Sequence, residues 1–279
     1  TSHSDKLKVI TIPKNSNLRE ITHILYENDI IRNEDLFILA TKILNLENKI
    51  YPGTYKFKNN LNNYEVLKII SSEEEPSLIK VTIREGLTIK QIASLLKNKY
   101  KMDSSKFVNL TTDENYIKNT LKLNVNNLEG YLFPNTYLFY EKPNEDELIK
   151  LMVSELKKIF TDSLIEIIHS KKLNIHKVLT MASIIEGEAK LDDERPIIAG
   201  VYYNRLKKGM LLEADPTVQY SISDGPRRLY YKDYKTISPY NTYLHPGLPP
   251  GPVNNPGRKS IIAAINPAKH SFLYFVADG

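Results

Sequence analysis

The chain contains no cysteine and no tryptophan. Without cysteine it can form no disulfide and no thiolate metal site. Its six histidines include no HExxH pair, so the usual zinc-hydrolase pattern is missing, and neither a metal nor another cofactor is expected. No apolar run reaches the roughly 18 residues of a membrane span, and no signal peptide is legible at Thr1. The expectation is either a soluble protein or one whose N-terminal anchor lies before this stretch. Charge of one sign is also scarce: Lys+Arg 38 against Asp+Glu 33 leaves +5, scattered along the chain. That excess suits a polyanionic surface such as a membrane or cell wall. With no RNP-type aromatic motif and no zinc-finger spacing, nucleic acid is not an expected partner. What is present is ordinary globular material, 41% hydrophobic and 25% charged over 279 residues, enough for two or three domains.

The most informative stretch runs from Val178 to Thr217. Val178, Leu179, Ala182 and Ile185 recur at helical spacing. Glu186 falls four residues past Ala182, on or beside the apolar stripe. A carboxylate in that position is costly to ionise, which is the condition for a general acid near neutral pH. The alternative is a satisfied carboxylate at the edge of a helix. Glu188, about 200° further round, is expected to face water. Asp192 or Asp193 can cap the next helix, with Pro196 in its first turn; Lys207, Lys208 and Gly209 close it. Asp215-Pro216 has the form of an N-cap followed by proline.

The N-terminal half repeats itself. Lys8–Ile12 reads as a strand, the Leu18 region and Glu34–Leu44 as helices, and Tyr51–Phe57 as a turn and strand. A helix over Tyr64–Ser71 leads to Glu73-Glu74-Glu75-Pro76, a candidate linker. Ile10-Thr11-Ile12 returns as Val81-Thr82-Ile83, 71 positions on, and Ile21 and Leu25 return as Ile92 and Leu96. Pro52-Gly-Thr-Tyr-Lys-Phe57 returns as Pro134-Asn-Thr-Tyr-Leu-Phe139, 82 positions on. The 11 extra positions fall between Thr111 and Asn127. The pattern predicts two copies of a strand-helix-helix-strand unit. Helices follow from Asn144, which has capping-box spacing to Glu147, and around Asp162–Ser170. A loop over Gly225–Gly257, rich in Pro and Gly, is punctuated by Tyr230, Tyr231, Tyr234, Tyr240 and Tyr243; aromatic faces beside polar backbone suit sugar rings. A helix over Arg258–Ile265 and a strand over Phe272–Ala277 are expected to end the chain.

In this order, Val81-Thr-Ile-Arg-Glu-Gly86, Leu128-Glu-Gly-Tyr-Leu-Phe-Pro-Asn-Thr-Tyr137, Ala182-Ser-Ile-Ile-Glu186 and Asp215-Pro-Thr217, with Tyr240-Asn-Thr-Tyr243, Gly247-Leu-Pro-Pro-Gly-Pro252, Asn255-Pro-Gly257 and Tyr274-Phe-Val276, resemble the endolytic murein transglycosylases of the MltG (YceG-like) type. The resemblance covers nearly all of the chain. It implies an α+β protein: two tandem LysM-like strand-helix-helix-strand modules, over residues 1–76 and 77–142, then a mixed α/β catalytic domain over 143–279 with a Pro/Gly-rich loop. It implies cleavage of the MurNAc–GlcNAc bond within nascent peptidoglycan strands, leaving 1,6-anhydro-MurNAc ends, with Glu186 as general acid and then base. It further implies an anchor helix before Thr1, work at the outer face of the bacterial cytoplasmic membrane, and peptidoglycan synthases as partners. The expected sugar-binding residues are Asn204, Glu213, Asp215, Thr217, Tyr240, Asn241 and Tyr243.

The chain departs from the family pattern in three places. Glu213-Ala-Asp215 stands where a Gln is expected before Asp-Pro-Thr. Gly187 stands where a larger polar residue is usual. The chain ends at Gly279, where relatives continue into a segment carrying a His. Two rival readings remain at this point: a hydrolase pairing Glu186 with Asp215 or Glu213, and a glycan-binding scaffold with little or no catalysis.

Overall fold

A computed structural model describes residues 7–13, 15–72, 78–139, 142–222 and 227–276. The acidic stretch 73–76 read as a linker, and the start of the Pro/Gly-rich loop, lie outside the described residues. The chain forms two compact units, Thr1–Ile79 and Lys80–Gly279.

In the first unit β1 (Lys8–Ile12) pairs antiparallel with β2 (Gly53–Phe57), from Lys8 opposite Phe57 to Ile12 opposite Gly53. Between them run α1 (Leu18–Glu27) and α2 (Glu34–Ile43), and α3 (Asn63–Ile70) follows. Leu25, Phe37, Phe57, Val66, Leu67 and Ile70 are fully buried and close one core. Burial of this kind stabilises by about 1.5–3 kcal/mol for each large apolar side chain.

In the second unit, strand β3 (Ile79–Thr82) pairs with β4 (Thr136–Phe139) in one sheet, and α4 (Ile89–Tyr100) and α5 (Ser104–Thr112) lie between them in the chain. The inserted positions form a π-helical turn, Tyr116–Thr120, and irregular chain. Several hydrogen bonds recur at matching positions in the two copies. The hydroxyls of Thr11 and Thr54 meet across the first sheet at 3.0 Å, and those of Thr82 and Thr136 meet across the second at 3.1 Å. Tyr55 donates to the Tyr51 carbonyl and Tyr137 to that of Phe133. Asn17 and Glu20 form a capping box on α1, as Thr88 and Gln91 do on α4. Each such cap is worth about 1 kcal/mol. The correspondence also runs one helix further than the apolar pattern shows. Asn62 and Glu65 box α3, and 82 positions on Asn144 and Glu147 box α6 (Glu145–Ile159).

The rest of the second unit is helical: α7 (Asp162–Ser170), α8 (Ile175–Glu188), α9 (Arg195–Lys207), α10 (Asp215–Ser221) and α11 (Arg258–Ile265). Helix α8 is the hub, packed against α7, α9, α10 and α11. Its residues Val178 to Ile185 are all buried, so over these two turns it has no water side.

Three local expectations fail. Neither Asp192 nor Asp193 caps α9; its N-cap is Glu194 without a side-chain bond, and Asp192 is drawn off to Arg195 and Lys259. Asp215 is not an N-cap but the first residue of α10, after Ala214. Residues 272–276 form no strand; side chains take up backbone carbonyls there, Asn204 donating to those of His270 and Phe272, and Arg205 to that of Leu273.

Candidate active site

Two cavities stand out in the second unit. The larger, about 680 Å³, is lined by Leu173, Leu206, Leu248, Pro249 and Ile265 among others and has no carboxylate in its wall. The smaller, about 470 Å³, is lined by Thr88, Lys90, Glu129, Asp215, Gln219 and Tyr220, together with Gly86, Gly187 and Asn254. The larger also carries His176, Lys171 and Lys177, but only the smaller brings carboxylates together, Glu129 and Asp215, and its wall residues Gly86 and Gly187 adjoin Glu186, so the smaller cleft is the candidate.

Glu186 lies beside the wall of this cleft: an added Cβ on the wall residue Gly86 would stand 3.6 Å from Glu186 Cγ, and the wall residue Gly187 follows it in the chain. Its side chain is 7% exposed and pairs with Arg195 Nη1 at 3.1 Å. Its other oxygen accepts the Gly257 N–H at 2.8 Å. Glu186 is therefore not alone on an apolar face; two donors fix its carboxylate. Arg195 is 8% exposed on its side chain and also reaches Asp192 and the Ser260 hydroxyl. A side chain at residue 257 would meet the carboxylate of Glu85, which would have to swing aside to admit it. Burial, and then Glu186 beside it, push the Glu85 carboxyl above its ordinary value.

Gly187 has a packing reason. A Cβ there would lie 2.5 Å from Pro216 Cγ, so the end of α8 and the start of α10 meet at this residue. That approach places Glu188 against Asp215 and not in water. Glu188 accepts hydrogen bonds from the Tyr202 hydroxyl at 3.1 Å and the Asp215 N–H at 3.2 Å. Burial, and then the charge of Asp215, raise its carboxyl to about 7. Asp215 in turn accepts from Tyr243 at 2.7 Å and from Tyr234 at 3.5 Å.

The expected sugar-binding residues divide. Asp215 lines the cleft, with Tyr243 bonded to it. Tyr240 packs on the cleft residue Tyr220, ring centres 4.8 Å apart. Glu213 is exposed and ion-paired to Arg205 at 3.2 Å. Thr217 and Asn241 have no exposed surface and hold the scaffold: Thr217 bonds Ala214 and Thr242, and Asn241 bonds the carbonyls of Tyr234 and Thr236. The Asn204 amide is taken by the C-terminal segment.

Sequence reasoning missed Arg195, Glu85 and Glu129. The signal for Arg195 was a lone arginine in a helical first turn, which no spacing rule singles out. Glu85 and Glu129 lay inside quoted motifs, but nothing local told a buried carboxylate from a solvated one. Glu129 is 4% exposed, and burial raises it to about 8. Among the described residues, Asn254 Oδ1 in the cleft wall is a buried side-chain acceptor without a partner.

A family model, the YceG-like family, matches residues 10–279. The chain belongs to the YceG-like family. It is 35% identical to a protein of Bacillus subtilis (strain 168) named endolytic murein transglycosylase, over 96% of this chain and 78% of that one. A Streptococcus pneumoniae (strain D39) protein of the same name is 30% identical over 99% of this chain, which spans about half of it, 55%. A YceG-like protein from Listeria monocytogenes, solved by crystallography at 2.6 Å, shares 33% identity, covers 98% of this chain and 94% of its own, and superimposes with a TM-score of 0.67. The mixed helix-and-small-sheet architecture is thus that of the family.

The raised carboxyls predict a pH dependence of stability. The folded value of Glu188, about 7, lies above its ordinary 4.5, so the folded chain binds this proton more tightly than the unfolded one. Its stabilising contribution is complete below about pH 4.5 and is lost as pH rises through about 7. Glu188→Gln removes that dependence. Relative to the variant, the wild type should lose about 3 kcal/mol between roughly pH 4.5 and 8, measured by urea unfolding. A pH-independent difference would mean that Glu188 is not held neutral.

Proposed function

We propose that the chain is an endolytic lytic transglycosylase of peptidoglycan, with Glu186 as its acid–base group. One observation carries this: the Glu186 carboxylate is fixed by Arg195 and the Gly257 N–H beside Gly86, a wall residue of a cleft that also bears Glu129 and Asp215. The names of the curated relatives support the substrate class.

In the first step Glu186, acting in its protonated form, gives its proton to the glycosidic oxygen as the bond between MurNAc C1 and GlcNAc O4 breaks. In the second it takes the proton from the C6 hydroxyl as O6 bonds to C1. One carboxyl serves both steps. Atoms balance without water: the products are a 1,6-anhydro-MurNAc end and a free GlcNAc 4-hydroxyl. The Gly257 N–H and Arg195 keep the carboxylate aimed through the cycle, which is how positioning lowers the barrier. Because the nucleophile belongs to the substrate, no second carboxylate has to activate water. Such strands lie outside the cytoplasmic membrane, so the enzyme works at that face, beside the synthases that make them. The N-terminal strand-helix-helix-strand copies serve as LysM-like glycan-binding modules.

A hydrolase is the second reading, favoured by the presence of Asp215 in the same cleft. Its oxygens, however, face the hydroxyls of Tyr243 and Tyr234. Mass spectrometry of peptidoglycan digested by the chain decides. Anhydro ends are expected. Products heavier by one water would establish the hydrolase, and no new ends would leave a scaffold.

A further inference from the structure

We propose that Glu129 is a positioning residue for Glu186: by holding Asn255 it fixes the turn that presents the Gly257 N–H to the catalytic carboxylate. This rests on the reading of Glu186 as the acid–base group. The contacts form a short, continuous chain. The buried Glu129 carboxylate accepts from the Ile89 N–H at the start of α4, at 3.1 and 3.2 Å, from Asn255 Nδ2 at 2.9 Å and from the Tyr220 hydroxyl. Asn255 has no exposed surface and uses all its polar groups. Its Oδ1 accepts the Leu132 N–H at 2.9 Å, and its Nδ2 also donates to the Leu87 carbonyl at 2.9 Å. Its own N–H donates to the Leu87 carbonyl, and its carbonyl accepts the Gly86 N–H at 2.9 Å. Two residues on, Gly257 donates to Glu186.

Asn255 therefore ties three separate stretches, 86–89, 129–132 and 255–257, into one knot beside Glu186. Gly86 borders Glu186 directly: a Cβ there would stand 3.6 Å from Glu186 Cγ. Glu129 is the ionisable member of the knot, and it also lines the cleft. Lys90 of α4, Tyr220 of α10 and Tyr240 of the Pro/Gly-rich loop face it. A glycan in the cleft beside Tyr220 would thus press on the same carboxyl that holds the Glu186 cradle. Removing that carboxyl leaves the Ile89 N–H and half of the Asn255 amide without their partner, and the turn loosens.

The test measures kcat and KM on polymeric glycan for the wild type, Glu129→Gln and Glu129→Ala. The Gly257 amide is followed in parallel by ¹⁵N NMR across neutral to alkaline pH. Glu129→Ala should lower kcat about 10- to 100-fold with KM nearly unchanged. Glu129→Gln, which keeps an acceptor for Asn255, should recover most of the loss. In the wild type the Gly257 amide should titrate with a midpoint near 8, and in Glu129→Gln that titration should vanish. A rise in KM with kcat intact would make Glu129 a sugar contact and overturn the proposal. So would a Gly257 amide indifferent to both substitution and pH. If Glu129→Ala does not fold, the Gln titration still decides. If the wild type cuts no glycan, the functional reading fails, while the amide measurement still settles the coupling.

Discussion

Glu186→Gln is expected to abolish release of anhydro-ended fragments while leaving the chain folded. Gln keeps an acceptor for the Gly257 N–H but can neither give nor regain a proton. General acid–base catalysis is typically worth about 10²–10⁴-fold, and one group serving both steps places the loss at the upper end. The substitution also deprives Arg195 of an ionic partner. Its cost in stability should stay below the roughly 3–5 kcal/mol of breaking a buried pair, because Arg195 keeps Asp192 and Ser260. The assay is chromatography and mass spectrometry of polymeric glycan after digestion, with circular dichroism as the fold check. Glu188 is not a fit control, since it is bonded to Tyr202 and Asp215. Glu166→Gln, at an exposed position on α7, should be silent. Near wild-type cutting by the Glu186 variant would remove it from the acid–base role.

Arg195→Leu should cause the larger loss of stability. Glu186 and Arg195 have side chains 7% and 8% exposed. Taking away the guanidinium strands a buried carboxylate with one backbone donor, at a cost of about 3–5 kcal/mol. Asp192 bears little of this, since its side chain is 56% exposed. Urea unfolding should show the midpoint falling accordingly, and turnover should fall because the carboxylate is no longer aimed. The double variant Arg195→Leu/Glu186→Gln should be more stable than Arg195→Leu alone, since no uncompensated charge then remains; the difference from additivity measures the pair. If Arg195→Leu unfolds with the wild type, the pair is not buried and the cradle described for Glu186 is wrong.

By itself the sequence determined the elements and their repetition. Apolar spacing and caps are local, so α1, α2, α4, α6, α8 and α11 were legible, as were the strands of both copies, within a few residues. Proline after Asp215 marked the start of a helix, though not which residue would cap it, because Tyr234 and Tyr243 compete for that carboxylate from a distant loop. The same sequence pointed to Glu186 through its place on an apolar helix and through motif resemblance. Only the tertiary structure decided how α8 meets water: Val178 to Ile185 are buried all round, and exposure is confined to the ends, as at Lys177 and Gly187. With α7, α9, α10 and α11 packed around it, Glu188 turns toward Asp215 and a helical wheel loses its meaning. Tertiary contact also brought Arg195, Glu85, Glu129, Asn255 and Gly257 together, from stretches up to 172 positions apart. Whether a carboxylate is solvated, paired or neutral depends on the charges and dipoles within a few ångströms of it. That neighbourhood is assembled by folding and is not written in the residues on either side.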